Sequence, residues 1–222
     1  MSLTDRLRRT NKIEIDTEQG LVFKFYRDYP GTVLPQVALG LRPARTLYSV
    51  HRAQTEYRRV TALQRMGFPL AQEYLDFDVK GNTPSVTLRY HPQFMHVEDV
   101  LRMGIPPAQA RVMLKKCAAI LQELHDYTVH GDPYLENFRL MSDNSIRSFD
   151  FEQEYNCEGK AAQQMDGTIL FRHAVHLFRE CNYADAATVK EEVAQLIREE
   201  YPQLELLAPR GRAYLYLRFD MK

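Results

Sequence analysis

The amino-acid sequence predicts an α+β fold, with a small antiparallel sheet in the first half of the chain and helices in the second. In residues 13–26, apolar and polar side chains alternate on both sides of a turn that contains Gly20, which is typical of a β-hairpin. In residues 106–125, two prolines precede apolar side chains at helical spacing, which is typical of a long core helix. A chain of 222 residues is long enough for one domain or one two-lobed unit.

The remaining elements follow from the same two periodicities. Residues 44–66 carry an apolar stripe at helical spacing, and a glycine and a proline follow it. Residues 71–79 and 85–90 read as strands that complete the antiparallel sheet. Further helices are expected at residues 97–101, 161–178 and 185–201, and the aromatic tail at residues 213–219 is expected to dock on the helical half.

Composition and charge exclude several classes of protein. Lysine plus arginine and aspartate plus glutamate both number 29, so no nucleic-acid partner is expected. No apolar run is long enough for a transmembrane helix, and the first residues lack a signal-peptide core. Three widely spaced cysteines are typical of free thiols in a reducing compartment. We therefore expect a cytoplasmic protein, with peripheral membrane contact left open.

Three polar residues dominate the middle of the sequence. Asn137 lies five positions after Asp132, and Asp150 lies eighteen positions after it. The segment between Asn137 and Asp150 alternates around a polar turn, which predicts a short hairpin that brings its two ends into one site. Two carboxylates and an amide around one point are suited to accept a hydroxyl proton and to hold Mg²⁺ on ATP phosphates.

This pattern resembles the catalytic loop and metal-binding motif of the protein-kinase-like superfamily. The forms His-Gly-Asp at residues 130–132 and Asp-Phe-Glu at residues 150–152 are similar to its small-molecule kinases, namely aminoglycoside phosphotransferases and bacterial lipopolysaccharide core and Kdo sugar kinases. The resemblance implies that Asp132 is the catalytic base, that Asn137 and Asp150 are Mg²⁺ ligands, and that His130 is structural. It also implies one kinase-like domain over residues 1–222, with a sheet-containing N-lobe at 1–91 and a helical C-lobe at 92–222.

The resemblance extends to three further positions. Lys24 resembles the strand lysine that contacts nucleotide phosphates, and Glu56 resembles the helix glutamate that pairs with it. The alternatives are a solvent-facing lysine and a surface glutamate paired with Arg52 or Arg59. Asp166 resembles the buried aspartate that ties down the catalytic-loop backbone, and the alternative is an exposed helix residue.

The sequence departs from the superfamily in two respects. No glycine-rich loop is present at residues 8–12, where it is expected, although arginine and lysine side chains there could contact phosphates. Protein kinases carry a lysine two positions after the catalytic aspartate, where this sequence has Tyr134, and little room for an activation segment follows Asp150.

The function implied is ATP- and Mg²⁺-dependent phosphoryl transfer to a hydroxyl of a small molecule, sugar or glycolipid. Tyr134 and Glu136 either contact a sugar acceptor or serve packing and solvation. The alternatives are a small protein serine/threonine kinase and a pseudokinase that acts as a binding module.

Overall fold

The computed structural model describes residues 11–27, 37, 38, 40, 42–80, 83–91 and 94–206. A four-stranded antiparallel sheet occupies its first part, with the spatial order β1-β2-β4-β3. The strands are β1 (Asn11–Asp16), β2 (Leu21–Tyr26), β3 (Tyr74–Lys80) and β4 (Thr83–Arg89). The predicted hairpin and the two further strands predicted for this sheet are therefore present. Two parts of the sequence named above lie outside the described residues. They are the tail at residues 213–219 and residues 8–10 of the stretch where a glycine-rich loop is expected.

The β1–β2 hairpin turns at residues 17–20, and its last residue, Gly20, has a φ of 67°. Glycine reaches this left-handed conformation without the steric cost of a side chain, which explains its place in the turn. On β2, Val22, Lys24 and Tyr26 are buried, because alternate side chains of a strand point to the same face. The strand therefore carries a lysine on the face that is turned toward the core.

Helix α1 (Ser49–Arg65) connects β2 to β3 in sequence and packs against the sheet. A short 3-10 helix (Ala44–Leu47) precedes it, so the single helix predicted for residues 44–66 is interrupted. The interruption lies at Tyr48, whose extended backbone (φ −91°, ψ 126°) separates the two segments. The face of α1 turned to the sheet buries Ala53, Val60 and Leu63 together with charged residues.

The second lobe begins with a smaller antiparallel sheet. It contains β5 (Phe94–His96), β6 (Phe138–Met141) and β7 (Ile146–Ser148), in that order. Strands β6 and β7 form the hairpin predicted between Asn137 and Asp150. A parallel bridge between Leu70 and Ser148 links this hairpin to the segment that leads into β3.

Four helices complete the second lobe. They are α2 (Val97–Arg102), α3 (Pro107–His125), α4 (Gly159–Glu180) and α5 (Val189–Glu200). The predicted apolar stripe of α3 is buried at Met113, Cys117, Leu121 and Leu124. Helix α5 begins four residues later than predicted, because the Asp185 carboxylate and carbonyl accept hydrogen bonds in a separate turn before it. No helix in the described part of the chain is long and apolar enough to cross a membrane.

Candidate active site

Lys24 lies at the centre of a cluster of carboxylates. Its Nζ donates to Glu56 Oε2 at 2.7 Å and to Asp150 Oδ1 at 2.6 Å, and lies 3.3 Å from Glu152 Oε2. These partners come from α1 and from the segment after β7, so Lys24 connects its own strand, β2, to two other parts of the fold. The predicted contact between Lys24 and Glu56 is present, and the alternative of a solvent-facing lysine is wrong, because only 8% of Lys24 is exposed.

Glu56 is completely buried on α1 and accepts hydrogen bonds from three donors. The Tyr26 hydroxyl donates to Oε2, which also receives Lys24, and the Tyr74 hydroxyl donates to Oε1. A carboxylate removed from water requires such partners to remain in the fold. The alternative of a surface glutamate paired with Arg52 or Arg59 is therefore wrong.

Glu152 is a second buried acid beside Lys24. Its Oε1 receives Arg52 Nη1 at 3.0 Å, and its Oε2 receives Asn11 Nδ2 at 2.7 Å. Arg52 lies one helical turn before Glu56 on α1 and is also completely buried. The cluster thus joins three carboxylates to two cations, Lys24 and Arg52, and holds a net formal charge of −1.

The pKa values of two carboxylates in this cluster, Asp150 and Glu152, shift in opposite directions. Burial raises the pKa of Asp150 to about 7, because the attraction of Lys24 is offset by the neighbouring Glu152 and Glu56. Burial would also raise the pKa of Glu152, but Lys24 and Arg52 lower it to about 2. Burial alone would lower the pKa of Lys24, which the three carboxylates instead raise well above its usual value. Asp150 therefore tolerates its charge less well than Glu152.

Asp132 and Asn137 meet in the loop before β6. The Asn137 Nδ2 donates to the backbone carbonyl of Asp132 at 2.8 Å and lies 3.4 Å from its Oδ2. A short 3-10 helix (Leu135–Asn137) turns the Asn137 side chain back toward Asp132. The Leu135 amide donates to His173 Nδ1 of α4 at 2.9 Å, which fixes the loop from the opposite side.

Asp166 of α4 holds the start of this loop. Its Oδ2 accepts the His130 amide at 2.6 Å, and its Oδ1 accepts the Gly131 amide at 2.9 Å. His125 Nε2 and the Tyr155 hydroxyl supply two more hydrogen bonds, at 2.9 and 2.6 Å. Burial would raise the pKa of Asp166, but these partners lower it. Asp166 is completely buried and ties down the loop backbone as the resemblance implied, so the exposed alternative is wrong.

The two histidines near the loop serve packing rather than proton transfer. The His130 ring stacks on Phe151 at a centroid distance of 4.7 Å, and within the described chain its nitrogens have no hydrogen-bond partner. Burial lowers the pKa of His130 to about 4, so the ring is neutral near pH 7. His125 is hydrogen-bonded to Asp166 and Tyr201.

The hairpin of β6 and β7 delivers Asp150 beside Asn137. The Phe149 amide donates to the Asn137 carbonyl at 3.1 Å, so the residues before and after the hairpin are adjacent. Asp150 has a φ of 66°, a left-handed conformation that is uncommon for residues with a side chain. Such backbone strain is found where the surrounding structure fixes a residue for function.

The carboxylates present are suited to hold Mg²⁺. Oxygen atoms of Glu56, Asp150 and Glu152 lie within 4.8 Å of one another, and carboxylate and amide oxygens are the ligands that Mg²⁺ prefers. Glu56 and Glu152 are occupied by buried hydrogen bonds, whereas 28% of the Asp150 side chain is exposed. A cation at Asp150 would balance a carboxylate charge that burial and the neighbouring acids make unfavourable.

The β1–β2 turn offers no backbone cradle for phosphates. The Asp16 Oδ1 accepts the amides of Glu18 and Gln19 at 3.0 and 2.9 Å, so these amides are already bonded. In the stretch expected to contact phosphates, Asn11 is committed to Glu152, and residues 8–10 lie outside the described chain. Among the described side chains of this region, Lys24 is the cation directed at the candidate metal site.

Sequence reasoning overlooked the roles of three charged residues. Glu152 follows Asp150 by two positions, and Arg52 precedes Glu56 by one helical turn, so each could have been assigned to the same face as its neighbour. Arg42 forms an ion pair with Asp132 from a distant part of the chain, and no local pattern predicts that pair. The Tyr134 ring lies edge-on to His173, with their centroids 5.1 Å apart.

Comparisons with known proteins establish the fold. No protein-family model and no curated protein matches the chain. The kinase domain of PknI from Mycobacterium tuberculosis matches with a TM-score of 0.53 at 16% identity, over 90% of this chain and 85% of that one. The bifunctional kinase-methyltransferase WbdD matches with a TM-score of 0.51 at 14% identity, over 95% of this chain and 48% of that one. This chain therefore corresponds to about half of WbdD.

These similarities confirm the fold that the sequence predicted. The chain has the two-lobed protein-kinase-like fold, with a small antiparallel sheet in the N-lobe and a helical C-lobe. At identities this low the likeness shows the fold alone.

Proposed function

We propose that this protein is a phosphotransferase that uses ATP and Mg²⁺ and transfers the phosphoryl group to a hydroxyl. One observation carries the proposal: Lys24 Nζ is held between Glu56 and Asp150, at 2.7 and 2.6 Å. A buried lysine braced by a helix glutamate and adjoining a partly exposed aspartate is suited to neutralise phosphate charge beside a metal ion.

The proposed division of roles follows the geometry of the site. Lys24, braced by Glu56, would bind the nucleotide phosphates, and Asp150 and Asn137 would hold Mg²⁺. Bound Mg²⁺ would neutralise charge on the phosphate oxygens. Asp132 would orient the acceptor hydroxyl and accept its proton. Asn137 donates to the backbone carbonyl of Asp132, which fixes the distance between the base and the metal ligand.

The proposed acceptor is a small molecule, a sugar or a lipopolysaccharide-type glycolipid. Helix α4 begins at Gly159, so only a short segment separates it from Asp150. That segment is held against α1 by Arg59, which donates to the carbonyls of Phe151 and Gln153 at 3.2 and 2.5 Å. A segment so short and so fixed offers little surface on which a peptide could dock, which favours a compact polyhydroxylated acceptor.

The domain organisation, the cellular location and the partners of the protein are part of the proposed function. We propose a single kinase-like domain over residues 1–222, with the lobes meeting near residue 91 and with a cytoplasmic location where ATP is available. Equal numbers of acidic and basic residues give no basis for a nucleic-acid partner. Peripheral contact with a membrane remains compatible with a glycolipid acceptor.

A transfer assay tests this proposal. The purified protein would be incubated with γ-labelled ATP and Mg²⁺, alone and with sugar, glycolipid and protein acceptors. Asp132→Asn should remove transfer through the catalytic rate while leaving nucleotide affinity nearly unchanged, because transfer depends on positioning and charge. Asp76→Asn, at an exposed carboxylate on β3, is the matched control and should retain full activity.

One feature favours a second candidate, a pseudokinase that acts as a binding module. Lys24 is already surrounded by three carboxylates, and the β1–β2 turn has no free amides at Glu18 and Gln19 for phosphate. A pseudokinase would show neither ATP hydrolysis nor transfer in the same assay. Ready phosphorylation of generic proteins, with no labelled sugar or lipid, would instead support a protein kinase.

A further inference from the structure

Arg42 is a buried cation in the proposed catalytic centre. Its Nη2 lies 3.7 Å from Asp132 Oδ1, and only 3% of the residue is exposed. Asp132 is more accessible, with 24% of its side chain exposed. The guanidinium therefore adjoins the proposed base from the protein side and leaves the base open to an acceptor.

The position of Arg42 is fixed by its surroundings. Its Nη1 donates to the Glu154 carbonyl at 3.2 Å, and its guanidinium lies 5.8 Å from the centroid of the Tyr155 ring. The Tyr155 hydroxyl in turn donates to Asp166, which holds the amides at the start of the catalytic loop. Arg42 is thus connected through Tyr155 and Asp166 to the start of the loop that carries Asp132.

The local sequence also restrains Arg42. It precedes Pro43, and a residue before proline is restricted to extended backbone. The Pro43 carbonyl accepts both the Thr46 amide at 3.0 Å and the Thr46 hydroxyl at 2.6 Å, which starts the 3-10 helix. The segment therefore holds Arg42 in place with little conformational freedom.

The catalytic loop does not provide such a charge from its own residues. Residues 130–137 include no lysine and no arginine. Lys24 is committed to Glu56, Asp150 and Glu152 rather than to Asp132. A guanidinium keeps its proton at any physiological pH, so Arg42 can stabilise negative charge without competing with Asp132 as a base.

We propose that Arg42 is a positioning residue for the proposed base, whose positive charge holds the Asp132 carboxylate toward the acceptor hydroxyl. This inference rests on the proposed function. As the acceptor O–H bond breaks and its proton passes to Asp132, the acceptor oxygen bonds to phosphorus and the bond from phosphorus to the ADP oxygen breaks. The charge of Asp132 is neutralised by that proton while the departing ADP oxygen gains charge, so Arg42 acts by keeping the carboxylate aimed at the acceptor hydroxyl until the proton is transferred.

The test measures phosphate release from Mg·ATP with water as the acceptor, so that no acceptor need be known. Arg42→Gln should lower kcat by about 10²-fold, the effect expected when a mutation displaces a reacting group slightly, with Mg·ATP affinity unchanged. Arg42→Lys should retain part of the rate, and free guanidinium ion should partly restore Arg42→Gln. Arg45→Gln is the matched control, because Arg45 lies in the same segment and pairs with Glu154 while 62% of its side chain is exposed.

Each other outcome has a defined meaning. Equal rates for Arg42→Gln and Arg45→Gln would overturn the inference and leave the proposed function intact. Arg42→Gln could instead lose rate, nucleotide affinity and thermal stability together, without rescue by Arg42→Lys or by guanidinium. That result would show that Arg42 forms only a structural ion pair, and it would also overturn the inference. If phosphate passes to an acceptor and not to water, the same variants are compared with that acceptor. A wild-type protein that binds Mg·ATP but transfers phosphate neither to water nor to any sugar, glycolipid or protein acceptor would refute the proposed function itself, and the role of Arg42 with it.

Discussion

Replacing Asp150 with asparagine should make the metal-free protein more stable while it removes the response to Mg·ATP. The charged carboxylate is unfavourable at this position, since burial and two neighbouring acids raise its pKa from 3.8 to about 7. Asparagine has nearly the same shape and tolerates the left-handed backbone at this position, where φ is 66°. Asp150→Asn therefore removes charge without new strain.

The size of the gain follows from the shift in pKa. A shift of about three units corresponds to about 4 kcal/mol of unfavourable free energy for the charged form. Because 28% of the Asp150 side chain is exposed, solvent offsets part of this cost, and we expect a gain of about 1 to 2 kcal/mol at pH 8. For a protein of this size that gain raises Tm by about 2 to 8 °C.

The stability gained by Asp150→Asn should depend on pH. A folded-state pKa above the unfolded value means that the wild-type residue supports the fold fully below pH 4 and loses this contribution as pH rises through about 7. Thermal melts in EDTA should therefore show a small difference between variant and wild type at pH 5 and the largest at pH 8. A variant that is less stable than wild type at pH 8, or that still gains stability from Mg·ATP, would refute the assignment. Asp76→Asn should behave as wild type.

Three further substitutions test the framework of the site. Lys24→Met leaves the carboxylates around it uncompensated and should cost about 3 to 5 kcal/mol in urea denaturation, whereas Lys12→Met, at an exposed lysine, should cost little. Gly131→Ala places a Cβ 2.2 Å from a backbone carbonyl oxygen at a φ of +88°, and should destabilise far more than Gly104→Ala, where φ is +76° and nothing lies within 4 Å. His130 has its pKa lowered to about 4, so its contribution to stability is full above about pH 6.5 and is lost as pH falls through 4. His130→Phe should flatten this acid-side loss in melts between pH 4 and 7, and an unchanged slope would count against the neutral buried ring.

The sequence was informative where function depends on local spacing. The hairpin between Asn137 and Asp150 was predictable, because alternation and a polar turn determine how a short segment folds back. The pairing of Lys24 with Glu56 was predictable from the family resemblance, since both residues occur in the chain order that the kinase-like motifs have. In each case the information lies within one segment or within one known pattern.

The remaining site residues depend on contacts between distant segments. Glu152 and Arg52 are separated by 100 positions and pair only because α1 packs against the segment after β7. Arg42 reaches Asp132 from a stretch whose prolines and glycines predict only irregular backbone. Periodicity shows which face of an element is buried, but it does not show which buried charges will meet.

Formation of ADP from Mg·ATP, measured together with label transfer to a panel of polyhydroxylated acceptors, tests the central claim most directly. The proposed phosphotransferase should form ADP and label at least one sugar or glycolipid only when Mg²⁺ is present. The signal should disappear in Asp132→Asn, whose affinity for Mg·ATP should stay close to wild type. A purified wild-type protein that binds Mg·ATP yet forms no ADP with water or with any acceptor would contradict the claim and leave a nucleotide-binding module in its place.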